Sequence, residues 1–141
     1  MLKQVDLDFI NSFSKDTMME TLGIECVGLG EDYLVATMPV NANTHQPMKL
    51  LHGGASAALI ESIGSMGSTL LLDLDKEVPV GIEINANHVG GMSSGLVKAH
   101  GKIVHAGKRT HVWQVDLTDN DTGALVCTGR LTVMVVPQKK A

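Results

Sequence analysis

A single carboxylate lies in the middle of the most apolar part of the chain. Glu61 is the only charged residue between Gly53 and Leu72, where the sequence reads GGASAALIESIGSMGSTLLL. Burying a carboxylate without a partner is costly because the charge loses its hydration. The pattern therefore favours a functional carboxylate, and the alternative is a partly exposed edge or an ion pair with a distant lysine. Small residues leave space beside it at three and four positions along a helix, namely Ala57, Ala58, Gly64 and Ser65.

The residues at the start of the same helix are suited to binding an anion. His52 precedes Gly53 and Gly54, and the first N–H groups of a helix point outward with a partial positive charge. A carbonyl that becomes tetrahedral develops negative charge on oxygen, which one such donor stabilises by about 3 kcal/mol. His52 offers a second donor, and Gln46 in the preceding loop could orient a carbonyl or a water. The alternatives are that His52 only caps the helix and that Gln46 is a solvated loop residue.

Helix geometry separates these groups within one chain. Gly53 and Glu61 are eight residues apart, which is about 12 Å along a helix axis. A reacting atom must lie about 3 Å from both the nucleophile and the oxyanion donor, so one chain cannot supply both. Two antiparallel helices related by a two-fold axis would bring the Gly53 end of one to the Glu61 region of the other. The sequence therefore predicts a site shared between two subunits.

Composition and charge restrict the class of protein. A chain of 141 residues with 44% hydrophobic and 18% charged residues predicts one globular domain, 1–141. The net charge of -4 argues against binding to nucleic acid or anionic membranes. The start, MLKQVDLDFI, lacks the pattern of a secretory signal, and no apolar run is long enough to span a membrane. Cys26 and Cys127, without CxxC spacing, are typical of free core thiols, so a cytoplasmic location is expected.

Periodicity predicts an α+β domain in which an antiparallel sheet wraps around one helix that is apolar on every face. The long polar loop before that helix, 39–51, is of a kind that is often functional. A second subunit is expected to cover the part of the helix that one sheet leaves open. The predicted elements are a peripheral helix over 7–20, strands over 23–27 and 33–38, the central helix over 53–72, and strands over 78–89, 96–105, 110–118 and 124–136.

The motifs resemble those of the hotdog-fold acyl-CoA thioesterases. The similarity rests on Gln46-Pro47 followed by LLHGGAS over 50–56, on ESIGS over 61–65 and on GIEINANH over 81–88. It runs through nearly the whole chain and is strongest to the branch that acts on 1,4-dihydroxy-2-naphthoyl-CoA and related aryl thioesters. The resemblance implies a hotdog fold assembled as a homotetramer, a dimer of dimers. It also implies hydrolysis of an aryl acyl-CoA to the free acid and coenzyme A.

The same resemblance implies a role for each residue of the motif. Glu61 would be the nucleophile or the general base, and Gly53 would donate its N–H to the oxyanion. His52 and Gln46 would position the carbonyl, and Ser65 would assist the attacking water. The sequence does not distinguish direct attack by Glu61 from activation of a water molecule.

The resemblance further implies three segments that contact the coenzyme A part of the substrate. Lys108 and Arg109 have a physical basis of their own, because two cations in a tight turn could bind phosphates; a solvated hairpin tip is the alternative. Relatives carry a basic residue after Asn-His-Val, whereas this chain has Gly90-Gly91, so backbone contacts are expected there. The segments consist of Gly81, of His88, Val89, Gly90 and Gly91, and of His105, Ala106, Gly107, Lys108, Arg109 and Thr110.

Two other functions fit the same fold. A hotdog protein that binds acyl-CoA without catalysis would usually need an output domain, which this sequence lacks. A hydratase or dehydratase would need its histidine and acid at the α and β carbons, whereas His52 lies where a carbonyl donor belongs. The histidines show no zinc spacing, so neither a metal nor a bound cofactor is expected. No GxSxG motif is present that would place a serine nucleophile.

Overall fold

One long helix packs on one antiparallel sheet in the computed structural model, which describes residues 1–139. The strands lie in the order β1-β2-β4-β5-β6-β3, and every neighbouring pair is antiparallel. The predicted α+β architecture is confirmed. In chain order the elements are α1 (Leu7–Ser12), α2 (Met18–Leu22), β1 (Glu25–Leu29), β2 (Tyr33–Pro39), α3 (Gly53–Thr69), β3 (Glu77–His88), β4 (Leu96–Ala106), β5 (Thr110–Asp119) and β6 (Leu125–Pro137).

Small residues let α3 lie very close to the sheet. A Cβ on Gly67 would come within 2.2 Å of the ring of Trp113 on β5, so only glycine fits there. The same ring donates through Nε1 to the hydroxyl of Ser68 at 2.9 Å, which satisfies the one polar atom of a side chain that is otherwise buried in apolar contacts. His111 shares that hydroxyl at 3.0 Å. The apolar sequence of α3 therefore encodes close approach to the sheet as well as burial.

One stripe of α3 is not buried within the subunit, as expected of a helix that a single sheet leaves partly open. Ala57, Ala58, Glu61 and Ser65 are half-buried, and they fall on one face because they are spaced by about one and two turns. The remaining apolar residues of the helix, Ala55, Leu59, Ile60, Ile63 and Met66, are buried. The stripe is the face that one sheet leaves open.

The N-terminal region differs from the predicted helix over 7–20. It forms two short helices, because Asp16 has a φ of 59° and Thr17 caps α2 by accepting a hydrogen bond from the N–H of Met19 at 3.2 Å. The region is also not peripheral. Ile10 is 2% exposed, and the side-chain amide of Asn11 makes two hydrogen bonds with the backbone of Cys26 at 2.8 and 2.9 Å.

The strand β3 forms one edge of the sheet and carries a bulge. Gly81 pairs with Val133 and Glu83 pairs with Thr132, so Ile82 is the extra residue. The opposite edge is β1. Across residues 1–139, no helix is long and apolar enough to cross a membrane, and α3 has 17 residues.

Candidate active site

The carboxylate of Glu61 lies where α3 crosses β3. A Cβ built on Gly81 would be 2.1 Å from Oε1 of Glu61, so the carboxylate rests directly against the backbone of that strand. Within residues 1–139, Glu61 has neither an ion pair nor a side-chain hydrogen bond. Burial raises the pKa of Glu61 above its ordinary value because the charged form loses hydration. The lysine partner considered as the alternative is therefore not found in the part of the chain that the structure describes.

An apolar cavity of about 340 Å³ opens beside this carboxylate. One wall is α3, where Ser65 lies one turn after Glu61 and Met66 faces the same space. The other wall comes from the two N-terminal helices and the turn between them. This wall was not predicted from the sequence, although Ile10 and Phe13 have the i, i+3 spacing of neighbours on a helix. The lining residues are Ile10, Phe13, Met19, Glu61, Ser62, Ser65, Met66, Thr69 and Leu70.

The amino-terminal end of α3 presents one free backbone donor. The N–H groups of Ala55 and Ser56 both donate to the carbonyl oxygen of His52, at 2.9 and 3.1 Å. The N–H of Gly54 donates to Nδ1 of the His52 ring at 2.8 Å. The N–H of Gly53 has no acceptor among residues 1–139. It is therefore the group of the first turn that remains available to an oxyanion.

The two polar side chains near this donor are held by the backbone. Because Nδ1 of His52 accepts a hydrogen bond, the proton of the neutral ring is on Nε2, which is then a donor. The Oε1 atom of Gln46 accepts a hydrogen bond from the N–H of Met48, so its amide nitrogen is likewise left to donate. His52 therefore caps the helix and also keeps a donor, so capping and carbonyl positioning do not exclude each other.

The loop before α3 is ordered by hydrogen bonds. Thr44, which is 1% exposed, donates through Oγ1 to the carbonyl oxygen of Pro39 at 2.7 Å and accepts from the N–H of Asn41 at 3.0 Å. The N–H of His52 donates to the carbonyl oxygen of Thr44 at 2.8 Å. A ring nitrogen of His45 lies 2.9 Å from the carbonyl oxygen of Ser93. These contacts fix the loop that carries Gln46 and connects β2 to His52.

The segments expected to contact coenzyme A lie at opposite ends of the sheet. His88 lies beside Gly53, since a Cβ there would be 2.7 Å from Nε2 of His88. Thr110 is level with Met134 and Val80 in the strand register. From Val80 to His88 is eight residues of β3, about 26 Å. Within one subunit the predicted site residues therefore fall into two separate groups, one around Glu61, Gly81 and the 105–110 segment, and the other around His52, Gly53 and the 88–91 segment.

The 88–91 segment offers fewer backbone donors than the sequence suggested. The N–H groups of Val89 and Gly90 both donate to the carbonyl oxygen of Val126, at 2.9 and 3.0 Å. They are used within the fold and are not free to bind a phosphate. Gly91 is the residue of this segment whose N–H has no acceptor among residues 1–139.

The 105–110 segment forms the tip of the β4–β5 hairpin. The N–H of Gly107 donates to the carbonyl oxygen of Thr110 at 2.9 Å, and the His105 ring lies beside Gly107. Lys108 and Arg109 are exposed and make no ion pair with any described residue. Ala106, Gly107 and Lys108 also border an open cleft of about 520 Å³. The tip is therefore a solvent-exposed turn that carries two cationic side chains without an ion-pair partner among the described residues.

The described residues contain no group of three or more His, Cys, Asp or Glu side chains that could hold a metal ion.

Comparison with known proteins places this geometry in a family. Residues 48–126 match the family model of the thioesterase superfamily. The chain is 42% identical to the 1,4-dihydroxy-2-naphthoyl-CoA hydrolase of Escherichia coli over 134 residues, 95% of this chain and 97% of that protein. It is also 42% identical to the proofreading thioesterase EntH of Cronobacter turicensis, over 95% of this chain and 96% of that one.

The fold agrees with solved structures of such enzymes. A crystal structure of a mutant thioesterase from Pseudomonas aeruginosa superposes with a TM-score of 0.94 at 43% identity, covering 97% of this chain and 99% of that one. The predicted hotdog fold and thioester hydrolase activity are confirmed by these similarities. The chain is a thioester hydrolase that belongs to the thioesterase superfamily.

Proposed function

We propose that the protein hydrolyses an aryl acyl-CoA, of the 1,4-dihydroxy-2-naphthoyl-CoA type, to the free acid and coenzyme A. The observation that carries this proposal is the position of Glu61, an unpaired carboxylate at the rim of an apolar cavity of about 340 Å³. A carboxylate can act on a thioester carbonyl there while the acyl group occupies the cavity. The naphthoyl-CoA hydrolase named above supports the aryl class of substrate.

The walls of the cavity suit a flat, apolar acyl group. Ile10, Phe13 and Met66 supply aliphatic, aromatic and thioether surface, and small-molecule sites are commonly apolar clefts with a few polar groups. Aromatic rings and methionine sulfur both make favourable contacts with a bound ring. The polar groups in the lining all lie on α3, namely Glu61, Ser62, Ser65 and Thr69. The acyl ring therefore points toward the N-terminal helices and its carbonyl toward α3.

The complete site is formed by two subunits of a homo-oligomer. Gly53 and Glu61 lie on the same helix, about 12 Å apart along its axis. Within one chain they therefore cannot contact the same substrate molecule. A two-fold related subunit supplies the missing half-site. The half-buried stripe of α3 and the unpaired edge of β3 are the surfaces available to such a partner. The resemblance adds a dimer of dimers as the full assembly.

The division of the coenzyme A segments agrees with this arrangement. The 105–110 tip lies at the Glu61 end of a subunit and His88 lies at the Gly53 end. One coenzyme A that spans the shared site would contact the tip of one subunit and the His88 end of the other. Lys108 and Arg109 would pair with its phosphates, and Arg is able to bind phosphate through two hydrogen bonds.

In the proposed reaction the thioester carbonyl is polarised before it is attacked. The N–H of Gly53 and the donors of His52 and Gln46 bind the carbonyl oxygen, which becomes negative as the carbon becomes tetrahedral. Ionised Glu61 either attacks the carbon to give a mixed anhydride or removes a proton from a water that attacks. Ser65, one turn away, would hydrogen-bond the water. The C–S bond then breaks and the thiolate takes a proton. In the general-base route this step gives the free acid directly, whereas in the anhydride route a water molecule must then hydrolyse the anhydride to release the acid and regenerate Glu61.

Labelled water separates the two routes for Glu61. After a single turnover in oxygen-18 water, the anhydride route leaves label in the Glu61 carboxylate, because water attacks the anhydride at the Glu61 carbonyl. The general-base route leaves Glu61 unlabelled. Mass spectrometry of the peptide that contains Glu61 measures the difference.

The proposed function is tested by the products formed from a panel of aryl and alkyl acyl-CoA thioesters. Hydrolysis releases free thiol and is expected to be fastest with aryl substrates. A hydratase would change the enoyl absorbance without releasing thiol, and an acyl-CoA-binding protein would do neither. Absence of thiol release from every aryl thioester would refute the proposal.

We also propose that the protein acts in the cytoplasm. Cys26 and Cys127 are both free and buried. Free thiols persist in reducing compartments, where disulfides are rare. The mildly acidic net charge of -4 accords with a protein that binds neither nucleic acid nor anionic membranes.

A further inference from the structure

Gly81 lies directly against the carboxylate of Glu61. The three atoms closest to a Cβ built at this position are Oε1, Cδ and Oε2 of Glu61, at 2.1, 3.1 and 3.5 Å. Real Cβ atoms do not approach other atoms as closely as 2.1 Å. A side chain at Gly81 and the observed position of the Glu61 carboxylate therefore exclude each other.

The backbone does not explain the glycine. The glycines with positive φ are Gly23, Gly95 and Gly123 among the described residues, and Gly81 is not one of them. Its conformation is open to any residue, and glycine in a strand forfeits side-chain packing. What the glycine provides is space for the carboxylate.

The strand β3 carries a bulge at the same place. Ile82 is the extra residue between the pairs that Gly81 and Glu83 make with β6. Bulges bend a strand and are common beside active sites, where they redirect neighbouring groups. The bend and the missing side chain together form a shallow seat on β3 for the head of Glu61.

We propose that Gly81 is a positioning residue for Glu61, whose carboxylate it seats at the rim of the acyl cavity by having no side chain. This inference rests on the proposed function, in which Glu61 carries the chemistry. It gives Gly81 a role within its own half-site that differs from the coenzyme A contact implied by the resemblance.

The test is Gly81→Ala. The colliding atoms are the flexible end of Glu61, so the carboxylate moves and the fold stays. We expect kcat for an aryl acyl-CoA to fall at least about 10-fold, since a displacement of about 1 Å in a catalytic group can cost 100-fold. KM should stay within about twofold of the wild-type value because no substrate-binding group is lost. The melting temperature should be unchanged.

The pH profile gives a second measurement that a purely structural role would not move. Burial raises the pKa of Glu61, and a carboxylate pushed toward solvent regains hydration, which lowers it. The acid limb of kcat should therefore shift to lower pH in Gly81→Ala. The matched control is Gly28→Ala, which adds the same methyl group to β1 at the opposite edge of the sheet and should retain wild-type kcat.

A double-mutant cycle shows whether the effect passes through Glu61. Glu61→Asp shortens the side chain by one methylene and withdraws the carboxylate from Gly81. In that background Gly81→Ala should change kcat by less than about twofold, because the two residues no longer compete for space. An equal loss in both backgrounds, a loss that appears mainly in KM, or wild-type kcat in Gly81→Ala would each overturn the proposal. The double variant also keeps the test valid if Gly81→Ala alone folds poorly.

Failure of this inference is distinct from failure of the proposed function. If Glu61→Ala still releases thiol at the wild-type rate, the catalytic role of Glu61 is wrong. If Glu61→Ala is inactive while Gly81→Ala is fully active, only the role of Gly81 is wrong.

Discussion

The Nδ1 atom of His52 accepts a hydrogen bond of 2.8 Å from the N–H of Gly54, so the ring that precedes α3 is also the cap of α3. The bond places the remaining proton on Nε2 and thereby makes that nitrogen a donor. Helix capping and the proposed positioning of the carbonyl would therefore use opposite sides of one imidazole.

Two substitutions of His52 separate these functions. His52→Asn keeps a capping oxygen, so it should retain stability while losing the Nε2 donor and much of kcat. His52→Ala loses both and should also unfold more easily, by about 0.5–2 kcal/mol, the usual worth of a cap. Thermal unfolding and thiol-release kinetics of both variants measure the two effects. Equal stability of the two variants would show that the cap contributes little.

Replacing Glu61 by Gln should abolish most activity without harming the fold. General acid–base catalysis contributes about 10²–10⁴-fold, so kcat should fall by that order. The raised pKa means that the folded protein binds a proton at Glu61 more tightly than the unfolded chain does. Ionised Glu61 therefore destabilises the fold. The stabilising contribution of protonated Glu61 is present at low pH and is lost as the pH rises through the pKa of Glu61 in the folded protein.

The direction of the pKa shift of Glu61 predicts how stable Glu61→Gln should be. At neutral pH the variant should melt at the wild-type temperature or above, and the difference should shrink below about pH 4, near the ordinary pKa of glutamate. Glu83→Gln, an exposed carboxylate on β3, is the control and should keep full activity. A Glu61→Gln protein that melts well below wild type at neutral pH would contradict the assignment of an unpaired carboxylate.

Gly53→Pro tests the backbone donor at the start of α3. Proline is well tolerated at the first position of a helix and has no N–H, and His52 has the extended backbone that precedes proline, with ψ of 131°. Loss of one oxyanion donor should lower kcat by about 10²–10³-fold. Gly53→Ala keeps the N–H and makes the same contact with His88, so it is the matched control and should be far more active.

Mixed oligomers of Gly53→Pro and Glu61→Ala test whether two subunits share the site. Each parent is inactive, but a mixed dimer contains one site with an intact Gly53 from one subunit and an intact Glu61 from the other. Random exchange at equal amounts should restore about a quarter of wild-type activity, since half of the dimers are mixed and each has one of two sites. No recovery after verified subunit exchange would refute a site that takes Gly53 from one subunit and Glu61 from the other.

Phe13→Ala tests the wall of the cavity that the N-terminal helices supply. Loss of the ring should reduce kcat/KM for aryl acyl-CoA by about 10-fold or more, in the range of 1–3 kcal/mol for apolar pocket contacts. Acetyl-CoA, which does not reach the wall, should be much less affected. Phe9→Ala removes the partner of the same edge-to-face ring pair, whose centroids are 5.2 Å apart, without opening the cavity. If both variants lose aryl activity equally, the ring pair matters more than the wall.

Much of the fold could be predicted because its signals are local. Alternating apolar residues marked β4, β5 and β6 to within a few residues, and an apolar segment after His52-Gly53-Gly54 marked the start of α3. The helix over 7–20 could not be predicted correctly, because its break depends on a positive φ at Asp16. A residue other than glycine adopts that conformation only where its surroundings impose it.

For the site, Glu61, Gly53, His52 and Gln46 could be identified as candidates from the sequence, since charge, glycine and helix spacing are properties of neighbours along the chain. Their surroundings depend on tertiary packing and could not be predicted. The cavity wall of Ile10 and Phe13 is about 50 residues from Glu61 in sequence, and the seat at Gly81 belongs to a strand that reaches the helix only by packing. Periodicity reports which side of an element is buried, but not which distant element buries it.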